Sequence, residues 1–213
     1  MSSPRPASPP VGRSKVVAWA LWDCGSTGLN AIVVTFVFSV YLTGTVGQGL
    51  TGVASPASLL GRALAIAGLT VAVLAPLTGV LVQAPHRRRV ALAVLTGLAV
   101  LSTSATSLIR VDPEYLVAGL ALLALTAACS DLASVPYNAM LRQLSTPETS
   151  GRISGLGWAA GYVGSVALLL LVYVGFIGGS AMTGSTLWVI LGPIIAVAGI
   201  IIAVFGLRRS RKT

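Results

Sequence analysis

The feature that most constrains this chain is a succession of apolar runs, each long enough to cross a lipid bilayer. A helix rises about 1.5 Å per residue and the hydrocarbon core is about 30 Å thick, so one crossing takes about 20 mostly apolar residues. Six segments reach that length: 16–42, 57–82, 90–109, 115–141, 153–177 and 186–207. The breaks between them, at 44–56, 85–89, 110–114, 142–152 and 178–185, carry turn residues or charge. Only 9% of the residues are charged, against about 25% in soluble domains, which excludes a water-soluble fold. The expected fold is an all-α membrane protein with one six-helix transmembrane domain over residues 16–207. A Pro/Ser-rich disordered tail, 1–15, precedes it and a basic tail, 208–213, follows it.

The formal charge of +9 does not imply nucleic acid, because its basic residues lie in short clusters between apolar runs rather than on one solvated surface. They report topology. Arg5, Arg13, Lys15, Arg87, Arg88, Arg89, Arg142, Arg152, Arg208, Arg209, Arg211 and Lys212 fall on one side, and only Arg62 and Arg110 on the other. Positively charged loops stay in the cytoplasm, so a multi-pass cell-membrane protein with both termini cytoplasmic is expected. The lipid bilayer is then its first partner. Cys24 and Cys129 both lie inside apolar segments, where they read as small packing residues rather than disulfide or metal ligands.

Two acids break the apolar pattern: Asp23 in the first segment and Asp131 in the fourth. Each costs about 2.5–3.5 kcal/mol near a helix centre, so each is expected to face a bundle interior or a water-filled cavity. Counting helical rise from Lys15 and Arg142 puts them about 12 Å and about 16 Å from the inner boundary. Neither has an intramembrane cation nearby in sequence, which leaves them free to take a proton or a transient cation. Asn30 and Asn138 each follow an acid by seven residues, close to two turns, so acid and amide share a face. Tyr137 and Tyr162 accompany the same stripes, and with Asp23, Asn30, Asp131 and Asn138 they form the expected substrate or ion pathway. Trp19 and Trp158 lie within about two turns of the inner boundary and fit an interfacial aromatic belt.

In the fifth segment Gly157, Gly161 and Gly164 have the small-residue spacing that lets helix backbones approach. No nucleophile–base pair, HExxH motif or Gly-rich phosphate loop is present. An enzyme is not expected, nor a cofactor or resident metal.

The stretch AWALWDCGSTGLNAIVVTFVFSVYL resembles the first helix of the vacuole-effluxer-like family of the major facilitator superfamily, with its AW-aromatic-D start followed by small residues. VPYNAMLRQLSTPETSGRISGLGWAAGYVGS resembles the fourth helix, YN-A-L-P turn and S-LG-A-GY-G fifth helix of the same family. The resemblance implies one six-helix half of a major-facilitator fold, and the equally spaced acid–asparagine stripes of the first and fourth segments, on helices of opposite direction, fit a 3+3 inverted repeat. The resemblance also implies secondary transport of a small solute by efflux, with amino acids as the solute class, and the two unpaired acids point to coupling with protons or another cation. Between helices two and three the superfamily carries G-x-x-x-D-R-x-G-R-R/K. This chain has Gly79 and the run Arg87, Arg88 and Arg89, but Gln83 where the acid belongs, which removes one side of the charge lock expected there. Family members join two six-helix halves, so a half-size or truncated transporter would need a second half, as a homodimer or a separate chain. The alternative is a non-transporting subunit, a degenerate half that binds another membrane protein.

Overall fold

The computed structural model describes residues 13–50 and 54–174, and every regular element within them is helical. The first crossing is a composite rod. It consists of α1 (Arg13–Leu29), a π-helical stretch (Asn30–Phe36), the short α2 (Phe38–Tyr41) and a second π-helical stretch (Leu42–Val46). The others are α3 (Pro56–Leu81), α4 (Pro85–Ala105), α5 (Leu116–Leu144) and α6 (Pro147–Val172). The rod and these four helices are each long and apolar enough to span a membrane. Short 3-10 turns, Thr106–Leu108 and Pro113–Tyr115, fill most of the connection between α4 and α5. The expected segment 186–207 and the residues before 13 lie outside the described residues.

Three helices begin at a proline, at Pro56, Pro85 and Pro147. At a first helical position the missing N–H is one of those left unbonded anyway, and the fixed φ is already helical. α4 and α6 therefore start at 85 and 147 rather than 90 and 153. Their first turns are polar and hydropathy does not register them, whereas cap chemistry does. α6 carries a capping box in which Thr146 and Thr149 reciprocally satisfy each other's backbone N–H groups. The first rod also runs past its expected limits of 16 and 42, to 13 and 46.

Contacts along the chain give each helix a direction. Gly157, Gly161, Gly164 and Leu168 of α6 meet Trp19, Asp23, Cys24 and Gly28 of α1 in rising order, so these two run parallel. Trp19 and Ser26 meet Tyr137 and Ser130, so α1 and α5 run antiparallel. Both directions are what alternate crossings require of the first, fourth and fifth segments. α5 is central and packs along α3 and α4, while α6 runs along α1.

Apolar packing is concentrated at the two ends of the bundle. One cluster joins Ile32, Val33, Phe38, Leu42 and Val46 of the rod to Leu116, Leu120 and Leu123 of α5. The other joins Trp19, Ala20 and Trp22 to Ala133 and Tyr137. Tyr137 stacks on both indoles, with ring centroids 4.5 Å from Trp19 and 4.3 Å from Trp22. Trp19 is 7% exposed and its Nε1 donates to the Tyr137 carbonyl oxygen. The belt position expected for Trp19 is therefore overturned: a flat ring between two helices fills a gap that no aliphatic side chain would fill as completely. Trp158 is exposed, 5.9 Å from Tyr162.

Candidate functional site

Between the two apolar clusters lies a layer of polar side chains contributed by three helices, α1, α4 and α5. Counting from Lys15 and Arg142, Ser26 and Ser130 sit about 17 Å along their helices, near the middle of a bilayer. Their hydroxyls are hydrogen-bonded at 3.3 Å across the α1–α5 contact. Ser102 of α4 and Thr126 of α5 form a second hydroxyl pair at 2.8 Å, fully buried. Such pairs form because a hydroxyl in hydrocarbon has no water to bond and takes whichever partner the facing helix offers. Ser102 also donates back to its own helix, at Leu98 and Ala99. Two buried oxygens in this part of the bundle, Thr103 Oγ1 and Tyr137 Oη, have no hydrogen-bond partner among the described residues.

Asp23 belongs to this layer. Its carboxylate lies against Gly161 of α6, where an added Cβ would come within 2.6 Å of Asp23 Oδ2 and 2.9 Å of Thr27 Oγ1. The glycine leaves the room in which the acid sits. Gly157 does the same for the Trp19 ring, and Gly164 for Cys24. The three glycines thus form the face of α6 that receives α1, and two of the three positions admit a functional-group neighbour rather than a plain apolar one. Asp23 makes no ion pair among the described residues.

Asp131 follows Ser130 on α5. The antiparallel pairs Trp19–Tyr137 and Ser26–Ser130 set the register, so Asp131 faces the level of residue 25, about 3 Å along the axis from Asp23. The two acids share a depth. Their surroundings differ, because Asp23 is partly buried between α1 and α6 whereas Asp131 is exposed. Asn138 is exposed as well, and Asn30 is partly buried. Tyr137 is buried in the aromatic stack, and Tyr162 points outward at 62% exposure. The structure therefore brings Asp23 and Tyr137 into the α1 contact region and leaves Tyr162 outside it.

Asn30 also opens the first π-helical stretch. Wider turns leave backbone groups further from their partners, and Val37 N reaches back to Ile32 O at 3.0 Å. Ser39 and Thr43 hydroxyls donate to the carbonyls of Thr35 and Ser39, at 2.8 and 3.0 Å, and so share the load of satisfying this backbone. π-helical turns are rare and recur at functional sites. Here they bend the register of the rod just past the polar layer.

The loop motif forms a separate feature. Arg88 turns back on the end of α3, donating through Nε to Val82 O at 2.8 Å and through its terminal nitrogens to Gln83 O at 2.9 Å and Ala139 O at 3.1 Å. Carbonyls at a helix end are its negative pole, so Arg88 links α3 to α5 without an acidic partner. Gln83 is exposed, as are Arg87 and Arg89, and Gly79 has open space around its Cα.

Ser26, Thr27, Ser102, Thr103, Thr126 and Ser130 escaped the sequence reading. Their signal was present as hydroxyls at interior positions of apolar segments, but a hydroxyl is cheap enough in a helix that its presence alone does not mark a site. No cluster of metal-ligating side chains exists among the described residues. Comparison of the chain with protein-family models, with curated proteins and with solved structures finds no match.

Proposed function

We propose that this chain is half of a secondary transporter of the major-facilitator type, related to the vacuole-effluxer-like group, which moves a small solute through a cavity lined by the polar layer. Its full form would have six spans arranged as a 3+3 inverted repeat, both termini in the cytoplasm of a cell membrane, and a second half completing the pathway. The observation that carries the reading is Asp23. It is a carboxylate at mid-bundle depth, set into space left by Gly161, with no hydrogen bond and no cation to neutralise it among the described residues. An acid that served only to join helices would be expected to spend its oxygens on a neighbouring donor, whereas a pathway acid keeps them for a proton or cation that arrives and leaves. Efflux and amino acids as the solute class rest on the sequence resemblance.

The face of α3 supports the need for a second half. Among the described residues, Gly61, Gly68 and Gly79 have nothing within 4 Å of an added Cβ, and Ile66, Leu69, Val73 and Leu77 are exposed. A helix face without neighbours among the described residues meets lipid or another helix. The same observation suits the alternative, a non-transporting subunit.

Reconstituted vesicles decide between them. With a panel of amino acids as probes, wild-type vesicles should show flux that responds to a pH gradient, and Asp23→Asn and Asp131→Asn should insert and fold but lose the coupled component. If both variants transport at the wild-type rate with unchanged pH dependence, the acids are helix glue and the subunit reading stands. Orientation has its own test: an impermeant thiol reagent added outside whole cells should label Gln48→Cys and leave Glu148→Cys unlabelled, and the reverse pattern would invert the topology.

A further inference from the structure

At the end of the bundle where α3 stops, α4 starts and α5 stops, there is an open pocket of about 400 Å³. Its wall includes Gly79, Gln83 and Arg88 from the α3–α4 hairpin and Asn138, Ala139 and Arg142 from α5. Arg88 fixes its shape by bonding carbonyls of both sides. Three of its five N–H groups are used in this way, which leaves two. The side chains of Gln83, Asn138 and Arg142 make no hydrogen bond or ion pair among the described residues, so two amides and a second guanidinium also offer donors there. No acid lines the wall among the described residues. α4 begins beside it at Pro85 without a side-chain cap, and its positive pole offsets the negative pole of α3, whose end carbonyls Arg88 already holds.

Donors and positive charge without an acid select an anion. The location selects which one, because this end of a membrane-spanning bundle lies where hydrocarbon meets water. Val82 and Val135 stand in the same wall, which gives a bound molecule an apolar surface beside its charged one. A free phosphate ion would use only the charged part. We propose that this pocket binds the phosphate of an anionic phospholipid headgroup, with Arg142 and the free edge of Arg88 on the phosphate, Gln83 and Asn138 on the remaining headgroup oxygens, and the acyl chains along α3. The inference rests on the chain lying in a membrane and does not depend on transport.

The test uses the full chain in phosphatidylcholine nanodiscs with a labelled phosphatidylglycerol probe, reading how much probe stays with the protein. Arg142→Gln should lower retention about fivefold, the worth of one basic residue near an anionic surface. Gly79→Leu should lower it at least as much, because its side chain would enter the pocket from a position where an added Cβ meets nothing within 4 Å. This second variant keeps every charge and every bond of Arg88, so it carries the test if Arg142→Gln folds poorly. Arg152→Gln, an exposed position on α6 away from the pocket, should retain probe as wild type does. The proposal is overturned if Arg142→Gln and Gly79→Leu bind normally. It is equally overturned if Arg152→Gln loses as much, which would make the attraction a diffuse surface effect, or if millimolar inorganic phosphate displaces the probe, which would make the ligand a soluble anion.

Discussion

α3 and α5 are close in length and hydropathy, yet 61% of the most apolar stretch around α5 is buried inside the bundle and only 6% of that in α3. Both are equally good membrane spans; they differ in what surrounds them. α5 meets α1, α3 and α4 and carries Thr126, Ser130 and Tyr137, each with a specific partner. α3 carries glycines with open space around them and aliphatic side chains turned outward. The difference teaches that apolar character in a membrane chain states the solvent, not the neighbour. Lipid tails are as apolar as leucine, so no hydrophobic force pulls one helix against another, and close packing and polar pairs decide which faces meet.

The largest effect expected from this contrast is at the aromatic stack. Tyr137→Ala should destabilise the protein by about 3–5 kcal/mol, as large aromatic truncations in a packed core do, while Leu69→Ala on α3 should change stability by less than about 0.5 kcal/mol. Thermal unfolding in a mild detergent measures both, and equal losses would dissolve the distinction between the two helices.

Next comes a matched pair of glycines. Gly161→Leu would drive a side chain into Asp23 and Thr27, and should cost about 1–3 kcal/mol by overpacking. Gly68→Leu meets open space and should leave the unfolding temperature unchanged or raise it slightly, since leucine favours a helix more than glycine does. If Gly68→Leu also unfolds the protein, α3 has a close partner within the chain and its free face must be reassigned.

The smallest effect should come from the hydroxyl pairs. Thr126→Val removes the 2.8 Å bond to Ser102 while keeping shape, and side-chain hydrogen bonds between membrane helices average about 0.6 kcal/mol. A loss several times larger would show that the polar layer, rather than apolar packing, holds α4 to α5.

Much of the architecture was legible because membrane insertion acts on each segment separately. The length and hydropathy of residues 57–82 sufficed to place α3 within a residue at either end, and Gly157, Gly161 and Gly164 announced a close helix contact through spacing alone. The starts of α4 and α6 were missed by five and six residues because polar first turns outside the hydrocarbon leave no hydropathy signal. The π-helical turns after Leu29 had no signature in Asn30–Phe36, since their residues would suit an ordinary α-helix equally well. At the candidate site, the rarity of acids in apolar runs was enough to single out Asp23 and Asp131. Their unequal surroundings were not readable, because the two acids look alike in sequence and differ only in which helices pass beside them.

What the sequence determined by itself, then, was the solvent of this chain and the helical form that follows from it: with no water to satisfy N–H and C=O groups, each apolar run must bond its own backbone. It also determined the depth of each polar residue, through a fixed rise per residue. The tertiary structure decided the lateral arrangement. It made α5 central and α3 peripheral, put Trp19 in a core rather than a belt, set Asp23 opposite Gly161, and turned Arg88 onto the carbonyls of Val82, Gln83 and Ala139. Those outcomes depend on complementary shapes and donor–acceptor pairs between residues up to 138 positions apart, as in Asp23 and Gly161, and no local pattern encodes them.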